Sequence, residues 1–387
     1  MSVLFYTLLI ILSVAQDPKQ GSTKEHLRIH HEAIVIDTHN DLLMRVIDGD
    51  RVEAKSSKGH SDLVRFKEGG YDGQVFSVWV DPVWASRDSA YIRANAMIDS
   101  LDAIIKRNPE KIVKVRNGNE FDAALKNGKL AAMIGLEGGH SIENSTANLL
   151  HFYQRGVRYL GVTWNNSTAW ATSARDEATK DLKRKGLSEH GKRIVRLMDS
   201  LGMLIDVSHC GEQTFWDILS TTKQPIIASH SSVYKICPHF RNLKDEQIRA
   251  VAKSGGVMMI NFYPSFIDSN FERNRKRLGD KGKANTAANY PSSTKKHIST
   301  QVTLAKILPS VRTVADHIDY VRTLVGIDYV GMGADYDGID TAPKELEDVS
   351  KISNLTKELL RRGYSESDVK KVLGGNFLRV FKQVCRM

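Results

Sequence analysis

Residues able to hold a metal ion or carry a proton close one short apolar run after another in this chain. His39 ends the stretch Val35-Ile36-Asp37-Thr38, with Asp41 two residues on, and in an extended strand those two side chains point the same way. Glu137 follows residues 131–136 and is itself followed by Gly138 and Gly139, which have no bulk to block it. His209 closes 204–208, His230 closes 226–229, and Asp335 closes 331–334, with Asp337 two residues further. Any one of these is what a strand does on meeting water. Together they bring histidines and carboxylates to one rim, the donor set that zinc or a similar divalent ion uses. His39, Asp41, Glu137, His209 and His230 exceed the need of one tetrahedral ion. Two ions bridged by a carboxylate would use all five, with Glu137 as the bridge and Asp335 left for proton transfer.

The elements that must position them form a repeating pattern. Apolar runs cover 33–38, 73–80, 130–136, 157–163, 203–208, 225–229, 256–262 and 329–334, most of them near-continuous, as suits strands covered on both faces of a parallel sheet. Helical periodicity falls between them, as in 94–107, 191–201, 245–253 and 314–324. Eight alternations predict a (β/α)8 TIM-type barrel in a single domain over 33–387, whose active site lies at the C-terminal ends of the strands. An open doubly wound sheet is the alternative, and no Gly-x-Gly-x-x-Gly turn after the first run supports it. Segments 349–362, 366–373 and 376–384 are expected as helices of the outer ring. Segment 265–297 lacks an apolar period and is expected as a long loop over the barrel mouth.

The 387 residues are 41% hydrophobic and 26% charged, an ordinary balance for a globular protein with a sizeable core. Residues 1–15 read as an export signal: an apolar core at 3–12, too short to span a bilayer, then small residues at Ser13, Val14 and Ala15, though without a preceding lysine or arginine. Residues 16–32 form a lead-in, and the mature protein is expected to be periplasmic or secreted, with no stable membrane anchor after signal removal. Cys210, Cys237 and Cys385 exclude a disulfide scaffold and leave room for one bridge. The net charge of +10 gathers partly at Arg273, Arg275, Lys276, Arg277, Lys281 and Lys283, but Glu272, Asn274 and Asp280 interrupt it without interleaved aromatics, so no nucleic-acid partner is expected. Asn144, Asn166 and Asn354 fit the glycosylation acceptor pattern. A homodimer stays open.

The chain also resembles the renal, or membrane, dipeptidases of the amidohydrolase superfamily. The resemblance is carried by residues 36–41, 135–139, 201–209, 229–231, 241–243, 331–338 and 346–350, in family order along the chain. It implies a hydrolase with two zinc ions per chain that cleaves dipeptides, a metal-bound hydroxide attacking the peptide carbonyl. A related amidohydrolase acting on another amide, ester or lactam is the alternative. Carried over by position, His39 and Asp41 hold one zinc, His209 and His230 the other, and Glu137 bridges; Asp335 is the general acid/base. Arg241 resembles the residue that holds the substrate carboxylate, where a planar guanidinium pairs two-pronged, and Tyr263 lies near it. One position departs. Where mammalian members place a histidine after the fourth strand, this chain has Trp164, whose indole donates one hydrogen bond and cannot take a positive charge; Asn165 is a candidate substitute donor.

Overall fold

The computed structural model describes residues 18–87, 89–277 and 305–386. Residues 1–15, expected as an export signal, lie outside them, as do Lys281 and Lys283. The strands are β1 (Ile36–Asn40), β2 (Gly73–Trp79), β3 (Ile112–Lys114), β4 (Leu130–Glu137), β5 (Val157–Gly161), β6 (Leu204–Asp206), β7 (Ile227–Ser231), β8 (Val257–Ile260) and β9 (Val330–Met332). All pairings are parallel, and the order β1-β2-β4-β5-β6-β7-β8-β9 follows the chain apart from β3. The ring nearly closes where β1 meets the segment after β9: Asn40 bridges Tyr336, the Asp41 amide donates to the Tyr336 carbonyl at 2.9 Å, and the Asp335 amide donates to the His39 carbonyl at 3.1 Å. The seam therefore lies among the candidate site residues.

Each of the eight runs read from the sequence supplies one strand of this barrel. The ninth, β3, was not expected. It runs beside Leu130–Ala132 of β4, on the edge that β5 takes over from Ile134. Three residues are too few to show a period, and only the exposed half of β4 calls them into a strand.

Apolar side chains fall into two layers. Ile36, Val75, Met133, Tyr159, Leu204, Val257 and Met259 fill the barrel, while the larger layer lies between strands and helices. Helix Asn376–Val384, expected in the outer ring, instead packs Phe377, Phe381 and Val384 against the interior layer. Its wide apolar face, Phe377, Val380, Phe381 and Val384, is buried there, while Arg379, Lys382 and Gln383 on the opposite face stay exposed. Outer helices form where periodicity placed them: Asp245–Lys253 coincides, and Ala90–Arg107, Glu189–Leu201 and Val311–Val325 begin a few residues earlier, the latter two behind capping serines Ser188 and Ser310. The expected loop at 265–297 begins with the short helices Pro264–Ile267 and Phe271–Arg277.

The closing strands approach tightly. A side chain at Gly333 would overlap the Ser229 carbonyl oxygen, which already accepts the Thr38 hydroxyl at 2.7 Å. Only glycine lets β9 come that close to β7 and β1. The three cysteines are free and buried, so no bridge forms among them. Among the described residues no helix is long and apolar enough to cross a membrane.

Candidate metal centre

His39 lies in β1, Glu137 ends β4, His209 follows β6, His230 lies in β7, and Asp335 follows β9. His209 and Asp335 take positive φ, 67° and 63°, an uncommon conformation for residues with a Cβ that concentrates at functional sites. The two oxygens of Glu137 face different partners. Oε2 is 3.2 Å from His39 Nε2, while Oε1 is 3.0 Å from His209 Nε2 and 3.5 Å from His230 Nε2. Asp41 Oδ2 lies 3.3 Å and Asp335 Oδ1 4.0 Å from His39 Nε2. Potential ligand atoms of His39, Glu137 and His230, and again of His39, Asp41 and Asp335, lie within 4.8 Å of one another.

Each histidine is oriented by its other nitrogen. His39 Nδ1 is 2.9 Å from the Tyr159 hydroxyl, which donates to the Thr38 carbonyl at 3.3 Å, so that oxygen accepts from Nδ1 and Nε2 is turned toward the carboxylates. His230 Nδ1 is 2.8 Å from Ser229 Oγ, which donates to Asp206 at 2.6 Å. His209 Nδ1 is 3.0 Å from Asn165 Oδ1. Tyr159, Asp206 and Ser229 escaped the sequence reading, although a tyrosine and an aspartate inside apolar runs were a usable signal. Asn261, also missed, donates to Asp335 Oδ2 at 2.9 Å, and Ser77 donates to Glu137 Oε2 at 3.1 Å.

The electrostatics favour a cation. Burial pushes Asp335 up to about 8, with Asp41 and Glu137 pushing the same way and His39 opposing. Burial also raises Asp41. For Glu137 burial acts upward too, but His39, His209 and His230 outweigh it and hold the carboxyl well below its usual range. Burial drives His209 down to about 3 and His230 well below the usual histidine range, so both rings stay neutral, the form a metal needs. Among the described residues Asp41 Oδ1 is buried without a hydrogen-bond partner, and His39 Nε2 faces carboxylate oxygens without a well-formed hydrogen bond, as ligand atoms facing an ion would. The donors present therefore fit a divalent metal.

Arg241 stands beside this cluster, 3% exposed, with Nη2 donating to the His230 carbonyl at 3.2 Å. Among the described residues nothing pairs with its buried Nε and Nη1, which a bound anion would satisfy. The guanidinium lies over Phe266 at 5.4 Å, and Tyr263 packs edge-on against the same ring at 5.0 Å. Tyr263 and Arg241 thus come together around Phe266. Trp164 is half-buried between Trp79, at 5.1 Å, and the His209 ring, at 6.1 Å. Asn165 supports His209 from the same turn.

Comparison with known proteins agrees with the geometry. The model of the membrane dipeptidase family (peptidase family M19) matches residues 23–387. The chain belongs to the membrane dipeptidase family. It is 32% identical over 370 residues to dipeptidase 3 of Rattus norvegicus, covering 93% of this chain and 67% of that protein. The crystal structure of the probable dipeptidase PvdM from Pseudomonas aeruginosa superposes with a TM-score of 0.80 at 25% identity, covering 96% of this chain and all of the other. A metallopeptidase from Rhodobacter sphaeroides, crystallised with a phosphinate mimic of the dipeptide L-Ala-D-Ala, gives 0.76 at 25% identity, over 91% and 99%. As a membrane dipeptidase, this protein is a metal-dependent hydrolase of dipeptide bonds on a barrel of eight parallel strands.

Proposed function

We propose a two-zinc dipeptidase in which His39 and Asp41 hold one ion, His209 and His230 the other, and Glu137 bridges them. One observation carries this reading: the two oxygens of Glu137 are divided between His39 on one side and His209 with His230 on the other. When bound, the ions supply a water acidified to near-neutral pKa and polarise the scissile carbonyl. The chain's own residues do the rest. Asp335, held by Asn261, takes a proton and returns it to the leaving amine. The raised affinity of its carboxyl for protons matches that double task.

Arg241 binds the free carboxylate of the substrate through the nitrogens that no group among the described residues satisfies, with Tyr263 at the edge of that subsite. The relative from Rhodobacter sphaeroides was crystallised with a phosphinate mimic of L-Ala-D-Ala, and a dipeptide of that kind ends in a free carboxylate. Elemental analysis of the purified protein is expected to find two zinc ions per chain, and a chelator should abolish dipeptide turnover until zinc is restored. One ion per chain would remove the bridging role from Glu137.

Export belongs to the same reading. Cleavage after the small residues Ser13-Val14-Ala15 should leave a mature protein starting near Gln16, which mass spectrometry of the exported chain checks. An intact Met1 in that material would refute it.

A further inference from the structure

Behind His230 stands a buried chain of hydrogen bonds. Asp206 ends β6, Ser229 and His230 lie in β7, and all three are buried. The donors give the chain a direction. Asp206 Oδ1 accepts two backbone amides, those of Ser208 at 3.0 Å and Ser229 at 2.8 Å, while Oδ2 accepts the Ser229 hydroxyl at 2.6 Å. A hydroxyl has one proton to give, and with it directed at Asp206, Ser229 Oγ accepts from His230 Nδ1, 2.8 Å away. A neutral imidazole protonated on Nδ1 keeps its lone pair on Nε2, the form that binds a metal. His230 Nε2 lies 3.0 Å from His209 Nε2 and 3.5 Å from Glu137 Oε1, where the second ion of the proposed centre belongs.

The other two ligand histidines are held differently. His39 Nδ1 meets the Tyr159 hydroxyl, whose proton goes to the Thr38 carbonyl, and His209 Nδ1 meets the amide oxygen of Asn165. At His230 the hydrogen bonds end on a carboxylate, whose exchange for an amide would reverse them. We propose that Asp206 is a positioning residue that, through Ser229, sets the tautomer of His230 and with it the affinity of the ion shared with His209. The inference rests on the two-zinc reading of the centre.

Asp206→Asn separates this role from packing. The two amides at Oδ1 require an oxygen there, so the asparagine NH2 takes the Oδ2 position and donates to Ser229 Oγ. The hydroxyl then turns its own proton to His230 Nδ1, and the ring carries its proton on Nε2, pointing at the ion. Side-chain shape and both backbone hydrogen bonds stay in place, as where the same exchange beside a catalytic histidine imposes the wrong tautomer on an intact geometry.

The test is zinc binding by the metal-free protein, read by competition with a chromophoric chelator and accompanied by thermal unfolding. Wild type should take two ions. Asp206→Asn should weaken one of them by about 10- to 100-fold, the usual effect of losing the partner that orients a ligand histidine, with the other ion and the metal-free Tm near wild type. Ser229→Ala, which leaves the ring free to choose its tautomer, should weaken the same ion by less, about tenfold. The double variant should bind that ion better than Asp206→Asn, because the misdirected hydroxyl is gone; a merely structural role would make it worse. Zinc affinities unchanged in Asp206→Asn, or a double variant no better than Asp206→Asn, overturn the positioning role alone. If Asp206→Asn does not fold, Ser229→Ala carries the test, and an unchanged affinity there overturns the role. Fewer than two ions on the wild type overturns the two-zinc reading and this inference with it.

Discussion

Asp335→Asn is expected to lower kcat for dipeptides by about 10²- to 10⁴-fold, the usual contribution of a positioned acid/base. Metal content should stay at the wild-type value. Asparagine keeps the shape of the side chain and can still accept from Asn261, which now meets Asp335 Oδ2 at 2.9 Å. It also tolerates the φ of 63° at this position, since aspartate and asparagine are the residues that adopt positive φ most readily after glycine. Alanine would confound the result with backbone strain. Steady-state kinetics alongside elemental analysis check the outcome, and wild-type kcat with intact metal would refute the assigned role.

Arg241→Met should cut kcat/KM for dipeptides by about 30- to 3000-fold, because truncating one partner of a buried hydrogen-bonded charge pair costs about 2–5 kcal/mol. Methionine fills most of the arginine stem and removes a charge buried with two nitrogens that find no partner among the described residues, so the fold should tolerate it. The decisive readout is selectivity. Wild type should strongly prefer a free dipeptide to its C-terminal amide, and the variant should treat them nearly alike. Arg241→Lys should recover only part of the preference, since an ammonium cannot make the two-pronged contact. A preference unchanged in Arg241→Met would move the carboxylate to another group.

Much of the centre was legible because barrel chemistry sits at strand ends, so a ligand-type residue after each apolar run is already a statement about position. Trp164 and Asn165 show where that legibility stops. From the chain, both stood where a substrate donor was wanted; folded, Asn165 Oδ1 meets His209 at 3.0 Å and Trp164 leans between Trp79 and His209. Contacts across strands far apart in sequence made that difference. Asn261 escaped notice for the same reason, being linked to Asp335 only through space, 74 residues away.

The sequence by itself determined the eight barrel strands and the ligand-type residues at their ends, while Arg241 came to notice only through the family resemblance. Hydrophobic periodicity and the abrupt change to polar residues are local properties, and a parallel barrel turns them directly into geometry. Tertiary structure alone decided how the two oxygens of Glu137 are shared, which nitrogen of each histidine faces the centre, that β3 joins the sheet, and that helix Asn376–Val384 packs on the barrel interior. Those features depend on which groups meet when β1 closes onto the segment after β9, and distances of a few ångströms between such groups are set by packing, which no single stretch of chain encodes.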